Sequence, residues 1–199
     1  FYKKVEIFFK NIELEKKAEL AYVDDVTGLF NQRKLFKDLN EWKKTKLNYL
    51  QAIFIDIDSF KKVNDNYGHI VGSKILNKIG VLIKEVVSKD SYVYRYGGDE
   101  FVVMSMSNDS LLDPVSILNA IKCNEIRIKK ERIKLSASIG VACFPEDIRD
   151  LSDVIELADR VMYRAKQTGK GKINLAEKIP YIKTRNIVKS KSDVINNLK

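Results

Sequence analysis

Continuous apolar runs alternate along the chain with stretches in which apolar residues recur every three or four positions. The first pattern predicts strands and the second predicts helices. A continuous apolar run over residues 50–57 is typical of a strand that is buried on both faces. Over residues 73–87 the apolar positions recur every three or four residues, as in an amphipathic helix. Further helices are predicted over 32–44, 60–66, 114–122 and 151–167, and further strands over 92–94, 101–104, 126–129, 133–141 and 172–175. This order predicts an α/β sandwich in which helices flank a central mixed sheet that includes all these strands.

The two ends of the chain are predicted to lie outside this sandwich. Residues 1–23 are charged, with apolar positions at helical spacing, so we expect an N-terminal helix there. Residues 177–199 are polar and basic, and we expect a loosely held tail. A single folded domain is therefore expected over 24–176. Because the chain opens with Phe1 and not with methionine, we expect it to be a piece of a longer protein.

Composition and charge narrow the choice of ligand. The chain has 36 basic and 27 acidic residues, and its net charge of +9 would attract nucleic acids or nucleotide triphosphates. The basic residues are spread along the predicted helices and tails without a nucleic-acid-binding motif, so we expect no nucleic-acid binding. No apolar stretch is long enough to cross a bilayer. Cys123 and Cys143 lack metal-ligand spacing and are expected to be reduced, structural thiols.

Two acidic turns give the strongest indication of chemistry. The stretch Arg-Tyr-Gly-Gly-Asp-Glu-Phe at 95–101 lies between apolar runs and predicts a tight turn that presents Asp99 and Glu100. In an isolated hairpin, such acids would merely face water. However, the buried strand upstream also ends in acids, Asp56 and Asp58, and buried carboxylates are costly unless they are paired or bound to metal. Side by side, the two acidic strand ends would form an oxygen-rich site for Mg²⁺.

In this order and spacing, these motifs resemble the GGDEF family of bacterial diguanylate cyclases over residues 25–173. The matching stretches are DVTGLFNQR at 25–33, DIDSFK at 56–61, ND at 64–65, GH at 68–69, GGDEF at 97–101, SIGVA at 138–142, AD at 158–159 and MYRAK at 162–166. The resemblance implies a ferredoxin-like fold, similar to nucleotidyl cyclase and polymerase palm domains. It also implies a cytoplasmic bacterial domain, in a full-length protein that could carry a membrane anchor. An N-terminal helix in this family usually continues a coiled coil from an upstream sensor domain; the alternative is a helix packed on its own domain.

The reaction that the resemblance implies is attack of a 3′-hydroxyl on the α-phosphorus of a purine nucleoside triphosphate, with release of pyrophosphate. Asp56, Asp99 and Glu100 are the predicted catalytic residues. Mg²⁺, or Mn²⁺, would be held by Asp56, Glu100 and the carbonyl oxygen of Ile57, and would stabilise the entering and leaving oxygens. Asp99 is either a further metal ligand or the base that accepts the hydroxyl proton. Asp58 is expected to be structural, with its oxygens satisfied by local hydrogen bonds.

Phosphate binding is assigned to two groups of residues. Backbone amides around Ser59, Phe60 and Lys61 open a predicted helix, whose N-terminus favours anions. Lys166 and Lys170 match the two basic phosphate-binding positions of the family, although the second is usually arginine. The alternative is that both lysines are solvated surface charges.

Asn64 and Ser73 are the predicted base-binding residues, and Ser73 departs from the usual family pattern. Most relatives have an aspartate there, whose carboxylate accepts hydrogen bonds from guanine and would repel the N1 acceptor of adenine. A serine hydroxyl can donate or accept, and a hybrid promiscuous GGDEF subclass with serine uses ATP and GTP to make 3′,3′-cyclic GMP-AMP. We therefore predict this product, with cyclic di-GMP as a side product; the alternative is a strictly GTP-specific cyclase. His69, the only histidine, is expected to be structural.

The resemblance also bears on regulation and assembly. Many relatives carry an Arg-x-x-Asp product-inhibition site, but the corresponding residues are Ser88, Lys89, Asp90 and Ser91, so no inhibitory site is predicted. Because one domain holds one triphosphate, two copies must face each other, and catalysis is expected to need a homodimer. The alternatives from other classes are a catalytically inactive nucleotide-sensing or protein-binding GGDEF module, and a single-nucleotide cyclase or polymerase-like enzyme.

Overall fold

Strands and helices alternate along the part of the chain that the computed structural model describes, residues 21–107, 111–128 and 131–177. The strands are β1 Phe30–Asn31, β2 Leu50–Ile57, β3 Tyr92–Gly97, β4 Glu100–Ser105, β5 Ile126–Ile128, β6 Glu131–Ile133, β7 Ala137–Phe144 and β8 Ile173–Leu175. The helices are α1 Gln32–Lys44, α2 Phe60–Tyr67, α3 His69–Val86, α4 Pro114–Cys123 and α5 Val154–Gln167. Neither Cys123 nor Cys143 forms a disulfide bond within the described ranges. Within these ranges, every helix is too short or too polar to span a bilayer.

Six of the strands form one mixed sheet in the order β1-β3-β4-β2-β7-β8. The pairs β1–β3 and β7–β8 are parallel, whereas β3–β4, β4–β2 and β2–β7 are antiparallel. Strand β2 lies near the centre and is buried along its whole length, as its continuous apolar run predicts. The predicted α/β fold, a central mixed sheet flanked by helices, is confirmed.

Because strand side chains alternate between the two faces, the sheet has two separate cores. On one face Ile55 belongs to a cluster that includes Ile75 of α3 and Ile117 of α4. On the other face Phe54 packs in a cluster with residues of α1 and α5. Asp56 continues the row of Phe54, so its carboxylate lies on the side of the sheet that α5 covers.

A close contact between α5 and β7 fixes the height of this helix above the sheet. A Cβ atom at Gly140 in β7 would overlap the carbonyl oxygen of Ala158 and the amide nitrogen of Met162, and would lie 2.8 Å from Met162 Cα. Glycine is needed here because the two backbones touch. The contact allows the last turn of α5 to bring Lys166 to Asp56 at the end of β2.

Some predicted element boundaries are wrong. Helix α3 begins at His69 and not at residue 73, because Gly68, with φ 82° and ψ 160°, ends α2 and the next helix starts at once. Residues 126–128 and 131–133 do not return to the main sheet but pair with each other as β5 and β6. Strand β7 begins only at Ala137, and β2 and β8 pair with its two edges. It therefore has no free edge with which residues 126–133 could pair.

The start of the domain also differs from the prediction. Ala21 and Tyr22 form a turn, and Val23 makes an isolated β-bridge to Phe30, so the N-terminal helix does not extend to residue 23. Strand β1 was missed because two residues are too few to show an alternating pattern. The remainder of the predicted N-terminal helix and the tail after residue 177 lie outside the described residues.

Candidate active site

The end of β2 and the start of β4 bring two carboxylates together. Asp56 and Glu100 are directly opposed residues of this antiparallel pair, and opposed side chains have Cβ atoms about 4.5–5.5 Å apart on one face of the sheet. Asp56 is 3% exposed and Glu100 is half-buried. The amide of Ile57 donates to the carbonyl oxygen of Asp99 at 3.2 Å, which ties the Gly-Gly turn to the end of β2. The two acidic turns therefore meet, as the sequence predicts.

Lys166 lies among these acids. From the last turn of α5 its ammonium donates a hydrogen bond to Asp56. The pKa of Asp56 is nevertheless raised above its ordinary value, because burial outweighs the lowering by Lys166 and the charges of Asp99 and Asp58 add to it. A lysine that the sequence assigns to phosphate therefore contacts a predicted metal ligand in this structure.

The pKa of Glu100 is raised as well. Burial is the largest cause, followed by the negative charges of Asp56, Asp159 and Asp99, whereas Lys166 lowers it. Asp159 was not among the predicted site residues, although it lies seven positions before Lys166 and so two turns away on the same face of α5. Negative charge therefore exceeds the positive charge that Lys166 supplies, and an added cation would be stabilised here.

The donor atoms at this site are carboxylate and carbonyl oxygens, the ligands that Mg²⁺ prefers. Within the described ranges, no group of three or more His, Cys, Asp or Glu side chains is arranged to hold a metal ion. A full protein cage is not required, because Mg²⁺ is commonly bound by one or two carboxylates together with waters and substrate phosphates. Asp56 and Glu100 fit that pattern, with Asp99 and the Ile57 carbonyl oxygen as further candidates.

Asp58 has a different role from Asp56. Its carboxylate accepts hydrogen bonds from Ser136 Oγ at 2.5 Å, Ser138 Oγ at 2.7 Å and the Gly171 amide at 2.8 Å. The prediction of local hydrogen bonds is wrong, because all three donors lie at least 78 residues away along the chain. With three donors, this carboxylate is satisfied by the protein and serves as an anchor between distant segments.

A cleft of about 560 Å³ opens beside the acidic cluster. Five of the predicted site residues line it, namely Phe60, Lys61, Asn64, Ser73 and Asp99. The side chains of Phe60 and Leu76 offer apolar surface against which a flat base can pack, and Asn64 and Ser73 offer polar groups. Asp99 is the predicted catalytic residue that both lines the cleft and contributes to the acidic cluster.

Gly72 makes room for Asn64 in this cleft. The helices α2 and α3 approach so closely that a Cβ at Gly72 would overlap Oδ1 of Asn64, and it would lie 3.1 Å from Asn64 Cγ and 3.4 Å from Phe60 Cζ. Gly72 was given no role from the sequence, because the predicted helix began only at residue 73 and no local pattern indicated this close approach.

The predicted phosphate-binding residues lie at the start of α2, in the last turn of α5 and in the loop that follows α5. Ser59 immediately precedes α2 with φ 59°, and the first amides of a helix have no partner within it, so they can bind an anion. Lys170 Nζ donates to Ser59 Oγ at 3.3 Å, which places this ammonium beside those amides. Lys166 lies instead at Asp56.

Arg95 was given no role from sequence, yet it holds the Gly-Gly turn in place. Its Nη1 donates to both carboxylate oxygens of Asp24 at 3.0 Å, and its Nη2 donates to the carbonyl oxygen of Gly98 at 2.8 Å. Arg95 and His69 also line the cleft. The only sequence signal for Arg95 was its position two residues before the glycines.

Comparison with known proteins identifies the family. The family described as "Diguanylate cyclase, GGDEF domain" matches residues 21–172. The cyclic di-GMP phosphodiesterase PdeR of Escherichia coli (strain K12) is 35% identical over 162 residues, which are 79% of this chain and 24% of PdeR. Diguanylate cyclase DosC of that strain is 33% identical over 160 residues, 77% of this chain and 35% of DosC. The crystal structure of the GGDEF domain of YfiN (TpbB) from Pseudomonas aeruginosa has a TM-score of 0.67 at 29% identity, and the match covers 76% of this chain and 98% of that one. The chain thus spans a quarter to a third of these two curated relatives, and it belongs to the GGDEF domain family.

Proposed function

We propose that this domain is a cyclic dinucleotide synthase, which condenses two purine nucleoside triphosphates and releases pyrophosphate. The observation that carries the proposal is the pairing of Asp56 with Glu100 beside a cleft that Asn64 and Ser73 line. The paired acids suit a divalent cation, and the cleft suits a purine base. The match to the diguanylate cyclase family agrees with this chemistry.

Each residue of the site would have a separate task. Asp56 and Glu100, with the carbonyl oxygen of Ile57, would hold Mg²⁺ or Mn²⁺, which when bound supplies Lewis-acid stabilisation of the phosphate oxygens. A 3′-oxygen forms a bond to the α-phosphorus while the bond from that phosphorus to the pyrophosphate oxygen breaks. Asp99 lines the cleft, where it can accept the proton of the 3′-hydroxyl or join the metal ligands.

Phosphate charge would be neutralised at the neighbouring helix ends. The first amides of α2, after Ser59, can bind the phosphates, and Lys170 lies beside them. The Lys166 ammonium donates a hydrogen bond to Asp56, and it could instead donate to a phosphate oxygen of a nucleotide bound beside Asp56. These groups hold the triphosphate so that its α-phosphorus can face an attacking hydroxyl.

A cyclic product requires a second copy of the domain. Two 3′-to-5′ bonds must form, and one cleft of about 560 Å³ accommodates one nucleoside triphosphate. Two copies with facing clefts would each supply one substrate. We therefore propose that the active form is a homodimer, which an upstream sensor domain of the longer protein would promote.

Ser73 supports a mixed product. It lines the same cleft as Asn64, at the position where most family members carry an aspartate. Its hydroxyl can donate to the N1 acceptor of adenine and can accept from guanine, whereas an aspartate can only accept. We propose that the domain uses ATP and GTP to make 3′,3′-cyclic GMP-AMP, with cyclic di-GMP as a side product. The alternative is that Asn64 and the cleft shape keep the enzyme strictly GTP-specific.

Family membership by itself does not exclude an inactive, nucleotide-sensing module, since PdeR, a matched relative, is named as a phosphodiesterase. The retention of Asp56, Asp99 and Glu100 favours catalysis. Incubation of the protein with Mg²⁺ and equimolar ATP and GTP, followed by mass spectrometry, separates the possibilities. Cyclic GMP-AMP supports the full proposal, cyclic di-GMP alone supports the GTP-specific alternative, and absence of any cyclic dinucleotide supports the inactive module.

Ser73→Asp is the matched variant for the substrate proposal. The new carboxylate should repel the adenine N1 acceptor, so the share of cyclic GMP-AMP should fall by at least about tenfold in favour of cyclic di-GMP. Total turnover should be retained because the metal and phosphate ligands are unchanged. An unchanged product ratio in this variant would show that Ser73 does not select the base.

A further inference from the structure

The loop between α5 and β8 carries Lys170 in an unusual backbone conformation. Gly169, Lys170 and Gly171 have φ angles of 122°, 56° and 58°, so three consecutive residues are in the positive-φ region. Lys170 is not a glycine, and a side chain with a Cβ adopts this region at an energetic cost. Such a conformation persists when surrounding contacts hold it in place.

Two side chains hold the loop by the backbone of Gly171. The amide of Gly171 donates to Asp58 Oδ2 at 2.8 Å, and its carbonyl oxygen accepts a hydrogen bond from Lys122 Nζ at 2.8 Å. Asp58 follows β2, whereas Lys122 lies in the last turn of α4. The loop is therefore clamped from two separate parts of the fold, immediately after the residue that is proposed to bind phosphate.

Both sides of this clamp are themselves supported. Asp58 also accepts from the hydroxyls of Ser136 and Ser138, so its position is fixed by the sheet. The end of the Lys122 side chain packs against Gly171, where an added Cβ would lie 3.2 Å from Nζ and 3.4 Å from Cε. The hydrogen bond from Lys122 is charge-assisted and therefore stronger than one between neutral groups.

We infer that Asp58 and Lys122 are positioning residues, which hold the Gly171 backbone so that the Lys170 ammonium reaches the start of α2. In the clamped loop, Lys170 Nζ lies 3.3 Å from Ser59 Oγ, beside the helix amides proposed to bind phosphate. This inference rests on the proposed function. Because the clamp acts on a phosphate contact, its loss should weaken binding of the triphosphate and leave the chemical step largely unchanged.

Lys122→Met tests the clamp, since Lys122 is exposed and its replacement does not disturb the core. We expect the KM for nucleoside triphosphate to rise about three- to tenfold, with kcat changed less than about twofold. Lys134→Met is the matched control: it removes the same charge from a lysine that is 76% exposed and paired with Glu125. A rise in KM for Lys122→Met no larger than for Lys134→Met would overturn the inference.

A Lys170→Ala background shows whether Lys122→Met raises KM by displacing Lys170. If Lys122 acts through Lys170, adding Lys122→Met to Lys170→Ala should change KM less than about twofold. An undiminished effect in that background would overturn the inference, because Lys122 would then affect KM without acting through Lys170.

Asp58→Asn is a second test of the clamp. The Asp58 carboxylate accepts three hydrogen bonds, and an asparagine amide group in its place could not accept all three, so KM should rise more than it does for Lys122→Met. If the unmodified protein makes no cyclic dinucleotide, the proposed function fails; if it does and the variants behave as their controls, only the clamp fails.

Discussion

Asp56 and Glu100 are opposed on neighbouring antiparallel strands, so the sheet itself holds their carboxylates on one face. No loop rearrangement is needed to bring them together, since the β2–β4 register fixes their approach. Burial raises the pKa of each acid, neighbouring carboxylates raise it further, and Lys166 offsets this only in part. The fold therefore maintains an excess of negative charge that a bound cation would relieve.

Glu100→Gln should strongly reduce product formation and stabilise the fold at the same time. If Glu100 holds the metal as proposed, its loss should reduce turnover by at least about a hundredfold. Because the pKa of Glu100 is raised in the folded protein, its ionised form is destabilised there relative to the unfolded chain. The melting temperature of the variant should therefore exceed that of the wild type at pH 8, as measured by circular dichroism without metal.

The pH dependence supplies the check on this prediction. The gain from Glu100→Gln should be fully present above the raised pKa of Glu100 and should vanish as the pH falls below its ordinary value of 4.5, where the carboxyl is protonated in both states. Wild-type activity should rise with pH through the same region, since Glu100 must be ionised to act as the proposed metal ligand. A variant that melts below the wild type at pH 8 would contradict the electrostatic account.

The sequence predicts the site best where one short segment carries both the structural and the chemical signal. The apolar run of β2 predicts a buried strand, and the acids at its end are costly there unless they are paired. The glycines before Asp99 predict a tight turn in the same way. For these reasons the convergence of Asp56 with Glu100 follows from local pattern and strand pairing.

Contacts between distant segments are not visible in such patterns. Asp58 was expected to be satisfied locally, but its donors include Ser138 and Gly171, 80 and 113 residues away. The separate β5–β6 hairpin was also missed, because both edges of β7 are taken by strands that lie far apart in sequence. Likewise, the place of Lys166 at Asp56 depends on how closely α5 packs on Gly140, which no periodicity records.

Gly140→Ala should destabilise the domain and reduce its activity together. The added methyl group would overlap backbone atoms of Ala158 and Met162, which cannot rotate away, so α5 must move. We expect a loss of about 1–3 kcal/mol in the free energy of unfolding by urea denaturation. Gly97→Ala is the control for stability, because a Cβ there meets no atom within 4 Å. Equal stability of the two variants would show that the α5–β7 contact can relax.

Gly72→Ala should weaken nucleotide binding with little effect on stability. The new Cβ would overlap Oδ1 of Asn64, and this flexible side chain can rotate away, so the fold is kept but the amide leaves its place in the cleft. We expect the Kd for a non-hydrolysable GTP analogue, measured by calorimetry, to rise about tenfold. In an Asn64→Ala background the Gly72→Ala change should have almost no further effect. If the effects of the two substitutions are additive, the loss of affinity comes from a shift of helices α2 and α3 and not from displacement of the Asn64 side chain.

Inhibition by the cyclic dinucleotide product should be weak in the wild type, and restoring an Arg-x-x-Asp site at residues 88–91 should strengthen it. Ser88 and Ser91 line a small cavity of about 260 Å³ together with Lys84 and Lys89. These lysines provide positive charge but not the paired, planar donors with which an arginine grips a phosphate. Calorimetry with cyclic di-GMP should therefore give a Kd weaker than about 10 µM for the wild type, and the double variant Ser88→Arg, Ser91→Asp should bind at least about tenfold more tightly. Tight binding by the wild type that is lost when Ser88 and Ser91 are replaced by alanine would mean that a product site exists here without arginine.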